Sequence, residues 1–281
     1  MSNLIQPKNS IPRFALKAFL LLMPIFWTHV VTSRAQLLHT ESFSVILDSS
    51  RTIQGAIVPN LEFQTQAEDL LEFENIADFS FRLTPKHAFT IANKIELSKY
   101  GKEVLLSGGY LYIEYRGGVQ QTLALEPYAQ VLWSEARGLA MKYAAGINAR
   151  WRIWVEENIG IFAGTGPFYE IERWNYQGVP NRVLLPEDLP EIKVQTFKWG
   201  TYLSFKYVPF DAISLDASFY HQSRIEDFFY TPRLASSASI TWNLTQYLGI
   251  TFVYQQIYDY NPIVPIDKDF HKIIMGVEIS F

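Results

Sequence analysis

Cysteine is absent from this 281-residue chain. A disulfide framework, thiolate metal sites and a cysteine nucleophile are therefore excluded. A basic surplus is missing too: 24 Lys and Arg stand against 28 Asp and Glu, for a net charge of −4. With nothing in excess to neutralise a phosphate backbone, no nucleic-acid partner is expected. After residue 36 there is no run of about 18 consecutive apolar residues and no sustained helical periodicity, which removes a bundle of membrane helices. What the chain has in quantity is aromatic, with 7 Trp, 16 Tyr and 20 Phe. Its hydrophobic content of 48% is too high for a disordered polymer, yet the mean hydropathy is only +0.01.

Residues 1–35 carry Lys8, Arg13 and Lys17, then the apolar run Ala18 to Trp27, then Ser33-Arg34-Ala35 as a small-x-small cleavage site before Gln36. That order is the order of a secretory signal peptide. A membrane anchor is the weaker reading, because Pro24 interrupts an apolar core about half as long as the ~20 residues of a spanning helix. Removing this segment takes away four basic residues and no acid, so the mature chain is near −8. Residues 36–51 read as a short periplasmic lead-in, and 52–281 as a single domain without internal repeat or linker.

Alternation with period two runs through that domain. In residues 71–83, Leu71, Phe73, Ala77, Phe79, Phe81 and Leu83 oppose Glu72, Glu74, Asp78, Ser80 and Arg82. In the last segment Ile273, Met275, Val277, Ile279 and Phe281 oppose Lys272, Gly276, Glu278 and Ser280. Each strand so built has one greasy and one wet face. The pattern predicts strands at 52–65, 70–83, 87–98, 103–116, 121–134, 138–152, 157–171, 195–208, 211–223, 233–243, 247–258 and 270–281. Most exceed the ~5–6 residues usual in soluble sheets and suit the ~9–11 of a tilted membrane strand. Trp133, Trp151, Trp174, Trp199, Trp242, Tyr115, Tyr207 and Tyr254 fall near strand ends, as interfacial girdles require.

The connections follow a parity. Every second one is short: 84–86, 116–120, 156–158, 209–210 and 244–246. The two longest, 172–194 and 259–269, fall among the others and are stiffened by Pro180, Pro186, Pro190, Pro262 and Pro265. Short periplasmic turns alternating with longer external loops are the habit of outer-membrane barrels. The expected fold is therefore all-β: a closed antiparallel transmembrane β-barrel of about twelve strands, with ten the runner-up. The terminal Phe281, closing an alternating strand behind an export signal, reads as the signal taken up by the barrel assembly machinery. Outer-membrane lipid and lipopolysaccharide would be its surroundings, in a Gram-negative bacterium, as a monomer.

Three stretches carry a family resemblance: Thr84-Pro85-Lys86-His87, then Leu125-Glu126-Pro127-Tyr128-Ala129-Gln130 through Arg137-Gly138-Leu139 to Gly146, and Tyr254 to Phe281 with Asp259-Tyr260-Asn261-Pro262. The chain resembles the family of domains of unknown function 481, the salt-induced outer-membrane proteins. The resemblance implies an outer-membrane barrel and supplies no catalytic residue. Connection 172–194 is longer than that family leads one to expect.

If odd residues face lipid in strands one to nine, the lumen receives Glu62, Glu72, Glu74, Asp78, Glu96, Glu114 and Glu126 from the early strands. Lys142, Arg150, Arg152, Lys198 and Lys206 come from the later ones. The signs are expected to segregate around the wall. Either a narrow channel with a transverse field results, passing small polar solutes, or the charges pair and close the pore. Tyr110, Tyr112, Tyr128, Phe162, Phe168 and Tyr202 also point inward and consume space.

His221 and Ser223 share one face of a strand, with Glu226 in the next loop, which is similar to the His-x-Ser of outer-membrane lipid A deacylases. No orienting acid follows at the matching distance, so these three are weak catalytic candidates. The stretches characteristic of the outer-membrane phospholipase are absent. Gly164-Thr165-Gly166 lacks the lysine of a phosphate loop. The loop acids Glu187, Asp188, Glu191, Asp259, Asp267 and Asp269 read as solvated charges before they read as a calcium or lipopolysaccharide site. No metal and no cofactor is expected. Three function classes stay open: a non-enzymatic envelope barrel or narrow channel, a lipid-modifying hydrolase, and an adhesion barrel using Trp174 to Leu189.

Overall fold

A computed structural model describes residues 52–65, 69–180 and 189–281. The expected signal peptide (1–35) and lead-in (36–51) lie outside the described residues, as do Glu187 and Asp188. Among the described residues the chain forms twelve strands: β1 (Ile53–Thr65), β2 (Asp69–Thr84), β3 (His87–Tyr100), β4 (Glu103–Gly117), β5 (Leu123–Ser134), β6 (Leu139–Val155), β7 (Ile159–Trp174), β8 (Ile192–Phe210), β9 (Ile213–Ser223), β10 (Arg233–Asn243), β11 (Leu248–Asp259) and β12 (Asp269–Ser280). Each is antiparallel to its neighbours, and β12 returns to β1 to close the ring.

The strand count follows the sequence pattern, and the limits move mostly outward. β7 runs on to Trp174 and β8 begins at Ile192, so the longest connection is 175–191 rather than 172–194. β8 also continues through Pro209 to Phe210, because an irregularity between Tyr207 and Phe210 absorbs the proline. The turn that follows is 211–212. The turns 85–86, 118–122, 156–158, 211–212 and 244–247 lie at the end of the barrel where β1 starts and β12 finishes. We call this the terminal end and the opposite one the loop end.

Closure rests on a short seam. Ala56 lies opposite Ser280 and Ile57 opposite Ile279. Next to them Gly55 and Phe281 exchange both backbone hydrogen bonds at 3.0 Å. Such rungs recur at every second residue of an antiparallel pair, so they fall on Gly55, then Ile57, then Pro59. Proline has no N–H to give, and the ladder to β12 stops there. β1 nonetheless stays paired to β2 up to Thr65 opposite Asp69. The outward side chains flanking the unpaired stretch are correspondingly bare, Leu61 at 69% and Met275 at 72% exposure. A side chain at residue 55 would meet the Phe281 ring at 2.8 Å, so glycine is what lets the terminal aromatic lie across the seam.

Candidate functional site: the lumen and its lid

The faces of the wall follow from burial and register. In β1 to β9 and in β12, even-numbered residues point inward and odd-numbered ones outward. In β10 and β11 the parity inverts, because Arg233 lies opposite Gln222 across the intervening loop. Leu111, Ile113, Leu125, Ile147, Leu203, Ile250 and Phe252 are among the exposed apolar residues of the outer face. Burial of such a face needs an apolar surround rather than water.

Inside, the charges sort into sets that are each neutral. On the β4–β6 side, Arg116 donates through Nε to Glu126 at 2.7 Å and through Nη2 to Glu114 at 2.6 Å. Arg150 Nε stands 3.3 Å from Glu126, with its guanidinium 3.7 Å from the centre of the Phe162 ring. From β8, Tyr202 Oη donates to the other oxygen of Glu126 at 2.5 Å, a chord across the lumen. Tyr112 Oη donates to Glu114 at 2.7 Å. Tyr112 packs on Tyr128, and Tyr202 on Tyr220, with ring centres 5.7 and 5.6 Å apart. Gly164 makes room for this layer, and Gly166 for the close approach of the neighbouring β6 backbone. A side chain at 164 would strike the Tyr202 ring at 2.1 Å, and one at 166 the Ile147 carbonyl at 1.9 Å.

Toward the loop end a second set joins Lys142, Lys198 and Arg233 to Glu170, Glu172 and Asp259. Lys142 Nζ is 2.5 Å from Glu170 and 3.2 Å from Glu172. Lys198 pairs with Glu170. Arg233 spans Glu172 at 2.7 Å and Asp259 at 2.9 Å. A third set lies behind the seam, where Lys272 bridges Glu74 at 2.6 Å and Glu96 at 2.5 Å, with Lys94 at 3.0 and 3.5 Å from the same two carboxylates. Lys206 and Asp216 form a looser pair at 3.7 Å.

The expected segregation of sign is therefore wrong. Lys94 and Arg116 sit among the acids of the early strands, and Glu170, Glu172 and Asp216 among the bases of the later ones. An ion withdrawn from water needs an opposite charge within a few ångströms, so the signs interleave. Two expected lumen charges are also misplaced in height. Glu62 has the inward parity but is exposed beyond Pro59, bonded to Gln64. Arg152 is at the terminal mouth, donating to the Gln120 carbonyl at 3.1 Å. Glu72 accepts from Ser98 at 3.0 Å, and Asp78 is buried.

The loop end is roofed by apolar side chains. Trp174, expected in a girdle, points inward and is fully buried, its indole N–H on Glu172 at 3.1 Å. The even parity of β7 decides its side. Leu139, Val179, Val264, Ile266 and Phe270 belong to the same buried cluster. Arg137, in a single 3-10 turn (Glu135–Arg137), lies 5.7 Å from the centre of the Trp174 ring and 4.9 Å from that of Phe270. Burial, with Arg233 nearby, lowers its guanidinium to about 10, so it is charged at neutral pH. The other proposed girdle residues face outward. Trp199, which donates to Thr165 Oγ1 at 2.6 Å, lies level with Ser223 where β9 ends, so the β7–β8 hairpin continues beyond it.

His221 and Ser223 share the outer face, as expected, but no hydrogen bond joins them among the described residues. Ser223 Oγ donates to the Asp227 carbonyl at 3.0 Å, the His221 ring packs tilted against Phe228 with centres 4.4 Å apart, and Glu226 is exposed. A hydroxyl committed to a backbone carbonyl, without a base on it, is not an activated nucleophile.

No family model matches the chain, and no curated protein does. Solved structures do. A NanC porin structure in a rhombohedral crystal form aligns with 81% of this chain and 98% of its own, at 9% identity and TM-score 0.44. The KdgM porin aligns with 82% and 99%, at 6% identity and TM-score 0.44. OmpT, an outer membrane protein of Vibrio cholerae folded in vitro, aligns with 82% and 96%, at 8% identity and TM-score 0.28.

Proposed function

We propose that this chain is a non-enzymatic outer-membrane barrel of a Gram-negative bacterium, closed at rest, with its terminal end in the periplasm and its loop end outside. The observation that carries this reading is the lumen itself. Arg116, Glu114 and Glu126, against the layer of tyrosine rings, and Lys142, Glu170 and Glu172, under the roof around Trp174, are all 4% exposed or less and paired ion to ion. Ions held so are filling rather than a conduit, because a passing solute would have to break buried pairs and leave each ion uncompensated. The same proposal includes membership of the salt-induced outer-membrane protein family, supported by the three stretches named above.

The test is a planar-bilayer recording of the purified mature chain. Baseline current without unitary steps is expected at moderate voltage. Regular steps of one size would overturn the closed reading and leave the narrow solute channel. That second reading has one observation in its favour: Lys272 and Glu74 behind the seam are each 19% exposed, so solvent reaches the lumen from that side.

A further inference from the structure

We propose that the loop between β9 and β10, residues 224–232, is a foot that stands in the lipid leaflet at the loop end of the barrel, seating Phe229 and Tyr230 at the boundary of headgroups and acyl chains. The inference rests on the reading of this chain as a transmembrane barrel.

The starting point is an anomaly of burial. His221 and Ser223 are odd residues of β9 and belong to the outer face with Ala217 and Phe219, both of which are exposed. Ser223 is nevertheless 2% exposed. The loop itself covers it. Ser223 Oγ donates to the carbonyls of Asp227 at 3.0 Å and Thr231 at 3.4 Å, and the Phe228 ring lies on His221. These contacts fold the loop outward and down along the wall. Val179 and Val264, in the loops that make the roof, fold inward instead.

Backbone bonds hold the folded-down loop in one shape: Asp227 N–H to the Arg224 carbonyl at 3.3 Å, and Tyr230 and Thr231 N–H to the Asp227 carbonyl at 2.9 and 3.1 Å. Phe229 meets Phe228 edge to face at 5.0 Å. What this platform presents is Phe229 at 83% and Tyr230 at 77% exposure, with Ile225 at 55% beside them. No other large apolar residues described are as bare as that aromatic pair.

A protein in water hides such side chains, and a fixed loop that holds them out needs a partner. Continuity names the partner. The foot adjoins the outer apolar face through His221, whose register neighbours are Thr201 and Leu234, and through Phe219 below it. An apolar ring beside a ring with a hydroxyl at its tip matches the chemistry of the headgroup boundary. The occupant is thus lipid, continuous with the lipid already against the wall.

The absence of cysteine makes the test clean. Three single-cysteine variants of the mature chain, F229C, Q177C and I147C, are labelled with a polarity-sensitive fluorophore and refolded into lipid vesicles. The label at 147 reports the outer wall, and that at 177 the loop over the mouth. The foot predicts that the label at 229 shifts to the blue and is quenched by lipids carrying a shallow nitroxide, while that at 177 is quenched by aqueous iodide. Adding S223A to F229C should return its label toward the aqueous response, with the barrel still folded by its gel mobility. Iodide quenching at 229 equal to that at 177, with 147 still in lipid, overturns the foot and spares the barrel. An aqueous response at 147 overturns the barrel reading as well. Protection of 229 only after a cell-surface protein fraction is added also overturns the lipid assignment, in favour of a protein partner.

Discussion

Replacing Arg233 by Met removes the guanidinium that ties β10 to β7 and β11. Its three short contacts are Nη1 to Glu172 at 2.7 Å, and Nη2 and Nε to Asp259, each at 2.9 Å. The two carboxylates are left in different states. Glu172 retains Lys142 at 3.2 Å. Asp259, 5% exposed, keeps the Asn261 N–H at 3.2 Å and only the more distant charges of Arg137 and Lys198. Stripping one partner from a buried pair costs on the order of 3–5 kcal/mol. With one of the two acids still compensated, the lower end applies, about 3 kcal/mol. The readout is urea unfolding in lipid vesicles followed by tryptophan fluorescence, to which Trp174 beside Glu172 contributes. Adding D259N to R233M should recover most of the loss, since the stranded charge and not the missing contact is the main cost. A loss below about 1 kcal/mol for R233M would mean that lumen water hydrates Asp259, as at a surface pair. The closed reading would then fall together with the energetic argument.

Sidedness and the seam can be tested separately. A cysteine at Gln177 should react with an impermeant maleimide on intact cells, and one at Glu157, in the 156–158 turn, should not; the reverse would invert the barrel in the membrane. P59V supplies the N–H that the next rung to Val277 lacks. One added backbone hydrogen bond should raise stability by about 1 kcal/mol, and an L61C/M275C pair should crosslink in that background and not in the parent. Equal crosslinking in both would show that Pro59 does not hold the seam apart.

Alternation told which way a residue points, and little else. Glu114, Glu126, Lys142 and Lys198 lie on the inner face, the side alternation assigns them, because a strand has two faces and the lipid face cannot hold a charge cheaply. The same rule contained Lys94, Arg116, Glu170, Glu172 and Lys272, all even residues of strands whose even face is inward, and applied evenly it would have found them. Arg233 and Asp259 fall outside the even-inward rule because parity inverts in β10 and β11, where Leu234, Ile240, Trp242, Ile250 and Phe252 hold the even positions. Alternation read within those two strands turns both charges inward, and what it does not give is that Arg233 reaches Glu172 on β7. Height along the barrel is equally invisible to it. Glu62 and Glu74 share a parity and a hairpin, but one stands exposed beyond a proline and the other holds two lysines. Aromatic residues misled for the opposite reason. Trp174 ends its strand as a girdle residue would, but girdle membership requires an odd position in β7, and 174 is even. Residue type suggests an environment, and parity then has the veto. Ser223 is the reverse case, where parity gives the outer face and a folded loop then covers it, so a pair that looked like chemistry becomes the fastening of an aromatic loop.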